Sequence, residues 1–269
     1  SPMVLGLGKG RTLVASDPAP LVAHTREVIY LDDGETAVLV GNGYDGGSER
    51  AVLFVIDIET GALIRKIDTQ AGSAGDTNGL TTPRGWDDDA NGTLDVVYAG
   101  DRLGNVWKFD LSSSNPASWG SAFSSAGVPA PFFVARDAGG KRQPITGGMS
   151  IGVNPRRGDP NFGKLFVFFG TGQYILSGDI SDKSVQTWYG LIDTGTSIPD
   201  RTVLMPRTIT TESTIGGSAV RAFSTALAGD MAGKRGWYID LVPPSGANGE
   251  RITSDAKFLG SVLLVTSIV

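Results

Sequence analysis

The sequence predicts an all-β fold, a β-propeller that is complete or partial, with residues 1–269 forming one domain or a fragment of one. Three observations carry that expectation. Short apolar runs recur along the chain, divided by clusters drawn from 38 glycines and 14 prolines, which is how all-β chains punctuate their turns. Helical periodicity is weak throughout. Two segments, "LFVIDIETGAL" and "YAGDRLGNVWKFD", repeat one pattern of strand, aspartate, tight glycine turn and returning strand. Their turn glycines, Gly61 and Gly104, lie 43 positions apart, within the roughly 40–50-residue period of propeller blades.

The elements follow in order. "TAVLVGNGYDGG" reads as a strand that runs into a loop tip. In "AVLFVIDI" both alternating sets, Val52-Phe54-Ile56 and Leu53-Val55, are apolar, so this strand is expected to be covered on both faces. "LDVVYAGDRLGNVWKFDL" is the second copy of the hairpin pattern. "KLFVFFGTGQYIL" and "GSVLLVTSIV" add strands, and "WYGLIDTG" and "WYIDLVPPSGANGERI" are weaker copies. Radial repetition of four-stranded sheets accommodates such a series, whereas a β-sandwich would not need the repeat. At this period 269 residues hold at most about six blades, fewer where insertions such as "SSSNPASWGSAFSSAGVPAP" intervene.

Composition narrows the function. Hydrophobic residues make up 40% and charged residues 19%, a globular balance. A net charge of -5, with no basic stripe, argues against nucleic acid as a partner. No apolar run approaches the ~18 residues of a membrane span. "SPMVLGLGKG" lacks a signal-peptide pattern, and the chain is expected to be an internal fragment of a longer protein. The absence of cysteine removes thiolate zinc sites, redox pairs and disulfides. The single histidine, His24, rules out a multi-histidine metal site; it reads as a surface or packing residue.

One stretch stands apart. "WDDDANGTLDVVYAGD" places Asp87, Asp88, Asp89 and Asp95 together at the mouth of a strand, with no lysine or arginine among them. Two unit charges about 4 Å apart repel by roughly 4 kcal/mol at an effective dielectric near 20, so a compact turn here needs a cation. Counted from Asp87, oxygen-bearing residues fall at positions one (Asp87), three (Asp89), five (Asn91) and nine (Asp95), with Gly92 at six. This is the first half of the EF-hand loop pattern, in which position seven, here Thr93, ligates through its carbonyl. Position twelve is Tyr98 rather than glutamate, and a strand follows in place of a helix, so Asp95 must supply the closing carboxylate. Three carboxylates, one amide oxygen and one carbonyl suit calcium better than the smaller, more hydrated magnesium. Asp88 is expected to point into solvent. The competing reading is a solvated acidic turn around the hairpin dipeptide Asn91-Gly92.

Other features read more plainly. Asp32, Asp33 and Glu35 in "LDDGET" are expected to form a hairpin turn, and "GNGYDGG" a loop tip. "GTGQYILSGD" lacks the lysine and helix of a phosphate-cradling loop. Trp86, Trp107, Trp119, Trp188 and Trp237 sit in or beside strands and are expected to pack the core or the faces between blades.

Taken in order, "VLVGNGYDGG", "AVLFVIDIETGALIRKIDT", "NGLTTP", "DDDANGTLDVVYAGDRLGNVWKFDL", "FFGTGQYI", "QTWYGLID" and "GWYIDL" resemble the C-terminal domain of PilC/PilY-type adhesins, found at the tips of bacterial type IV pili. The resemblance runs from about Ala37 to the end of the chain. It implies a modified quinoprotein-like β-propeller and a nine-residue calcium loop on Asp87, Asp89, Asn91, Thr93 through its carbonyl, and Asp95. Where the family commonly carries aspartate at position five this chain has Asn91, which is expected to weaken the site without abolishing it. The chain is also expected to stop before the family domain does. The implied role is pilus biogenesis and adhesion without catalysis: calcium occupancy regulating pilus extension and retraction, surface attachment and twitching motility. The implied partners are minor pilins of the tip complex and a host-cell or abiotic surface receptor, at the cell surface, on the outer membrane or secreted. The alternatives are a quinone-cofactor dehydrogenase on a related propeller and a purely structural propeller stabilised by calcium.

Overall fold

A computed structural model describes the backbone of three early strands, β1 (Val4–Gly8), β2 (Arg11–Ala15) and β3 (Glu27–Tyr30), and residues 37–44 and 49–269. His24, the turn expected at Asp32, Asp33 and Glu35, and the loop tip expected in "GNGYDGG" from Asp45 onward lie outside the described residues. Among the described residues helix is confined to three 3-10 turns, at Pro116–Ser118, Ser177–Ile180 and Arg201–Val203, so the chain is all-β as expected.

Two compact units are present: residues 1–40 with 54–66, and residues 41–53 with 67–269. The first contains the antiparallel sheet β2-β1-β3, in which Val4 lies opposite Ala15 on one side and Tyr30 on the other. A second three-stranded sheet runs in the order β4 (Ala37–Gly41), β5 (Val52–Asp57), β6 (Leu63–Asp68). Val52, Leu53 and Val55 of β5 are buried and Phe54 and Ile56 half-buried, so both faces are covered, as the doubly apolar pattern required.

The larger unit is built on two sheets. The first is an antiparallel meander of β7 (Arg84–Trp86), β8 (Val96–Gly100), β9 (Asn105–Asp110) and β10 (Gly120–Ser121). A detached hairpin of β11 (Phe123–Ser125) and β12 (Val128–Ala130) follows, and β13 (Phe133–Val134) returns to β9 with Phe133 opposite Val106. The segment that reads as an insertion in the sequence therefore supplies the outer strand β10. The second sheet contains β14 (Ser150–Val153), β15 (Leu165–Gly170), β16 (Thr187–Asp193), β17 (Met205–Arg207) and, after an exposed hairpin of β18 (Ile209–Ile215) and β19 (Ser218–Phe223), β20 (Gly236–Asp240). Its order is β14-β15-β16-β20-β17, with only β17 parallel to its neighbour. A last hairpin pairs β21 (Lys257–Leu259) with β22 (Val262–Leu264).

The core lies between these two sheets. Tyr98, Val106, Phe132 and Phe133 meet Val167, Phe169, Tyr189 and Leu191, with Ile145 and Met149 from the connecting segment. Tyr189 stacks on Phe169 at 5.1 Å and takes the edge of Phe133 at 5.3 Å. Alternation along β15 sends Phe168 to the opposite face, against Trp237 and Phe258. Both faces of β15 are thus apolar, which accounts for its unbroken "LFVFFG" run. Gly190 on β16 leaves room for the Trp237 indole, whose nearest atom would lie 2.5 Å from an added Cβ.

The internal repeat corresponds to two aspartate turns. In β5–β6 the amide of Gly61 donates to the Asp57 carbonyl, and in β8–β9 that of Gly104 donates to the Asp101 carbonyl. Both glycines adopt left-handed φ, +70° and +80°. β8 ends at Gly100: Asp101 N still donates to the Asn105 carbonyl, but the Asp101 carbonyl turns to Gly104 and opens the turn. The tryptophans pack as expected. Trp107 is buried against Phe109, Trp188 and Trp237 meet edge to face at 5.1 Å, and Trp86 and Trp119 are half-buried.

Candidate metal centre

Residues 87–95 are the connection between β7 and β8, placed at one end of the meander by a short antiparallel pairing that sets Trp86 opposite Val96. The amide of Asp95 donates to the Trp86 carbonyl at 3.1 Å and closes the neck. Leu94 folds back over Gly85, where an added Cβ would come within 2.4 Å of its Cδ1. Above the neck the chain coils tightly: Ala90 and Gly92 both take left-handed φ, +59° and +90°.

That coil brings three carboxylates together. One oxygen from each of Asp87, Asp89 and Asp95 lies within 4.8 Å of the other two. Oxygens on opposite sides of a calcium ion, each at about 2.3–2.6 Å, stand roughly 5 Å apart, so this spread suits such an ion. Asp87 and Asp95 are half-buried, Asp88 and Asp89 exposed. Among the described residues no lysine or arginine ion-pairs with any of them.

The loop's own N–H groups hold the carboxylates in place. Asp87 accepts from Asn91 N at 3.2 Å and Gly92 N at 2.8 Å, and Asp95 Oδ2 accepts from Asp88 N at 2.7 Å and Asp89 N at 3.3 Å. Asn91 Nδ2 donates to Asp89 Oδ2 at 2.9 Å, while Asn91 Oδ1 accepts from Thr93 N at 2.8 Å. The five residues singled out by spacing therefore share one loop: three carboxylates converge, with the Asn91 amide and Thr93 joined to their edge. These amide dipoles offset part of the repulsion but bring no net charge.

The neighbouring strands carry ionisable groups that the sequence does not reveal. Asp101, fully buried, accepts from Asn78 Nδ2, Asn105 Nδ2 and Trp107 Nε1, each at 2.8 Å, and from Asn105 N at 2.9 Å. Burial raises its pKa against the pull of those four donors. Tyr98, three residues beyond Asp95, donates its hydroxyl to Asp193 at the end of β16, and Lys108 Nζ reaches the same carboxylate at 2.5 Å. Burial pushes the Asp193 pKa up, but the Lys108 and Tyr98 hydrogen bonds outweigh it and hold the group below its ordinary value. Burial, then the Asp193 charge, pushes the Tyr98 phenol well above its usual range. The spacing of Asp101, Asn105 and Trp107 in "DRLGNVW" is the one sequence cue to the first of these clusters.

Comparison with known proteins places the chain. The family model described as the PilY1 beta-propeller domain matches residues 13–212. A type IV pilus biogenesis factor PilY1 homolog of Xylella fastidiosa (strain Temecula1) is 37% identical over 224 residues, covering 80% of this chain and 15% of that protein. Type IV pilus biogenesis factor PilY1 of Pseudomonas aeruginosa strain PAO1 is 33% identical over 296 residues, covering 98% of this chain and 24% of that protein. This chain thus spans a quarter or less of the length of these curated relatives. The crystal structure of the Pseudomonas aeruginosa PilY1 C-terminal domain matches with a TM-score of 0.72 at 32% identity, covering 86% of this chain and 52% of that chain. Since the family match takes in the 87–95 loop and the whole sheet that carries it, the chain belongs to the PilY1 beta-propeller domain family.

Proposed function

We propose that residues 87–95 bind calcium and that this loop regulates a type IV pilus biogenesis and adhesion protein without catalytic activity. The observation that carries the reading is the convergence of Asp87, Asp89 and Asp95 within 4.8 Å with no cationic side chain paired to them among the described residues. Those three carboxylates, Asn91 through Oδ1 and Thr93 through its carbonyl would hold the ion, with water completing the shell. Bound calcium supplies the positive charge that cancels repulsion among the carboxylates. The residues do the rest: Asp95 ties the loop to the neck through the Asp88 and Asp89 amides, and its position next to Val96 fixes the start of β8.

The pilus role rests on the relatives, which are named as type IV pilus biogenesis factors. In the full-length protein we place this domain at the cell surface, with the pilus-tip minor pilins and a host-cell or abiotic surface receptor as partners. Loop occupancy would shift pilus extension against retraction, and with it attachment and twitching motility.

The deciding experiment is calcium titration by calorimetry on the wild-type chain and on Asp95→Ala, with circular dichroism to check folding. Saturable one-site binding lost in the variant is the expected result. A folded wild type that takes up no calcium would leave the aspartates as a solvated turn and end the proposal. Twitching by bacteria carrying Asp95→Ala in the full-length protein then separates regulation from stabilisation: normal motility despite lost calcium binding would restrict the ion to a structural role.

A further inference from the structure

We infer that a second site, separate from the 87–95 loop, binds an acidic peptide segment that carries an apolar side chain. It is a cleft of about 390 Å³ between the β14–β15 and β19–β20 connections. Arg156 and Arg157, both exposed, stand on its rim, and neither guanidinium makes an ion pair among the described residues.

Two of the other charges of the cleft cancel each other. Arg207, at the end of β17, forks onto Asp230, Nη1 to Oδ2 at 2.7 Å and Nη2 to Oδ1 at 2.8 Å. That pair holds the Asp230 carboxyl below its ordinary pKa and pins the β19–β20 connection to the sheet. Asp159 Oδ1 accepts the Asn161 amide at 2.7 Å within its own turn. With the Arg207–Asp230 pair neutral, the lining carries two unpaired arginines, Arg156 and Arg157, against the one carboxylate of Asp159, a net positive cleft on a chain whose net charge is -5.

The arginine loop is ordered before any ligand arrives. Asn154 N donates to the Lys164 carbonyl and Gly163 N to the Asn154 carbonyl, while the buried Asn161 accepts from Lys164 Nζ at 3.0 Å. A preorganised site loses less entropy on binding than a mobile one. Opposite the arginines stands an apolar wall that includes Met231 and Leu227, the latter 69% exposed. Guanidinium groups take carboxylates by two parallel hydrogen bonds, and the uncovered leucine favours a ligand that brings an apolar group beside its anion. Free phosphate would satisfy the arginines and leave the wall bare. Charge complementarity and the wall together point to an acidic, leucine-bearing segment of a protein partner.

The test is fluorescence anisotropy with a labelled peptide of alternating aspartate and leucine, in chelator so that the calcium loop plays no part. Arg156→Ala/Arg157→Ala is expected to weaken binding by roughly tenfold or more and Leu227→Ser by about threefold, since each removes one half of the recognition. Both changes lie at exposed positions, and the fold is checked by circular dichroism. Lys66→Ala/Lys257→Ala, which removes two exposed positive charges elsewhere, is expected to bind as the wild type does. Four results would each overturn the inference: no binding by the wild type; unchanged binding by the arginine variant; an equal loss in the lysine variant, meaning diffuse attraction; or equal binding of an aspartate–serine peptide that inorganic phosphate displaces, meaning a plain anion site.

Discussion

Asn91 is where a single residue sets the strength of the acidic loop. Its amide Nδ2 donates to Asp89, so with the loop as it stands it partly takes the place of a cation. To join a metal shell it has to offer Oδ1 instead, which now accepts from Thr93 N. Aspartate at this position would remove the donor and add a fourth carboxylate. Calcium affinity rises with the number of charged ligands, so Asn91→Asp is expected to bind calcium roughly tenfold more tightly. In chelator the same variant should melt below the wild type, because the added charge meets Asp87 and Asp89 uncompensated. Calorimetry and thermal unfolding read the two effects, and an affinity that does not rise would remove Asn91 from the shell. Asp101 shows the contrast: four N–H donors surround its carboxylate, and it has no need of a cation.

At the scale of elements, β8 is held at two points by different chemistry. Its start adjoins the acidic loop, while its middle is tied to β16 by Tyr98 on Asp193, a carboxylate that Lys108 of the neighbouring β9 also holds. Removing the charge with Asp193→Asn leaves a mostly buried ammonium without its partner, at an expected cost of about 3 kcal/mol at neutral pH. The sign with pH follows from the depressed pKa of Asp193. Its stabilisation is fully present above the unfolded value, near 3.9, and is lost as pH falls through the folded one. The stability gap between wild type and variant, read from urea unfolding, should therefore be flat from about pH 5 to 7 and close below about pH 4. A gap that stayed constant into acid would mean the loss is one of packing and not of charge. These two ties of β8 were not equally legible in the sequence. The loop could be read because its donors lie within nine positions and their spacing alone draws them together. The strands could be read because alternation and glycine turns are local as well. Lys108 and Asp193 are 85 positions apart, and only the packing of one sheet on the other makes them partners. For the same reason Asp101 was legible as a repeated turn residue but not as a buried carboxylate. Arg156 and Leu227 belong to connections that only the strand order brings to one cleft.

At the scale of the whole molecule, the question is how far calcium binding at the proposed site would be felt. The larger unit has a core in which Tyr98 from β8 packs with Phe132, Phe169 and Tyr189, so the strand that leaves the loop is also part of the central packing. A ligand that binds only the folded state stabilises it by RT ln(1 + [L]/Kd), about 2.7 kcal/mol at a hundredfold excess over Kd. For a domain of this size each kcal/mol raises the melting temperature by roughly 2–4 °C, so calcium at that excess should raise it by about 5–10 °C. Melting alone does not say where the gain lies, because global unfolding reports the same figure for a local clip and for a coupled core. Hydrogen exchange separates the two. If fixing the neck at Asp95 steadies β8, amides of β7, β8 and β9 should gain protection with calcium, and the gain should cross to β16 through the Tyr98–Asp193 hydrogen bond. Asp193→Ala, which removes the acceptor of the Tyr98 hydroxyl, should then bind calcium with unchanged affinity while the protection of β16 no longer responds to it. Protection confined to residues 87–95 in the wild type would make the loop an isolated clip, and a regulatory effect would then have to act through the loop surface itself.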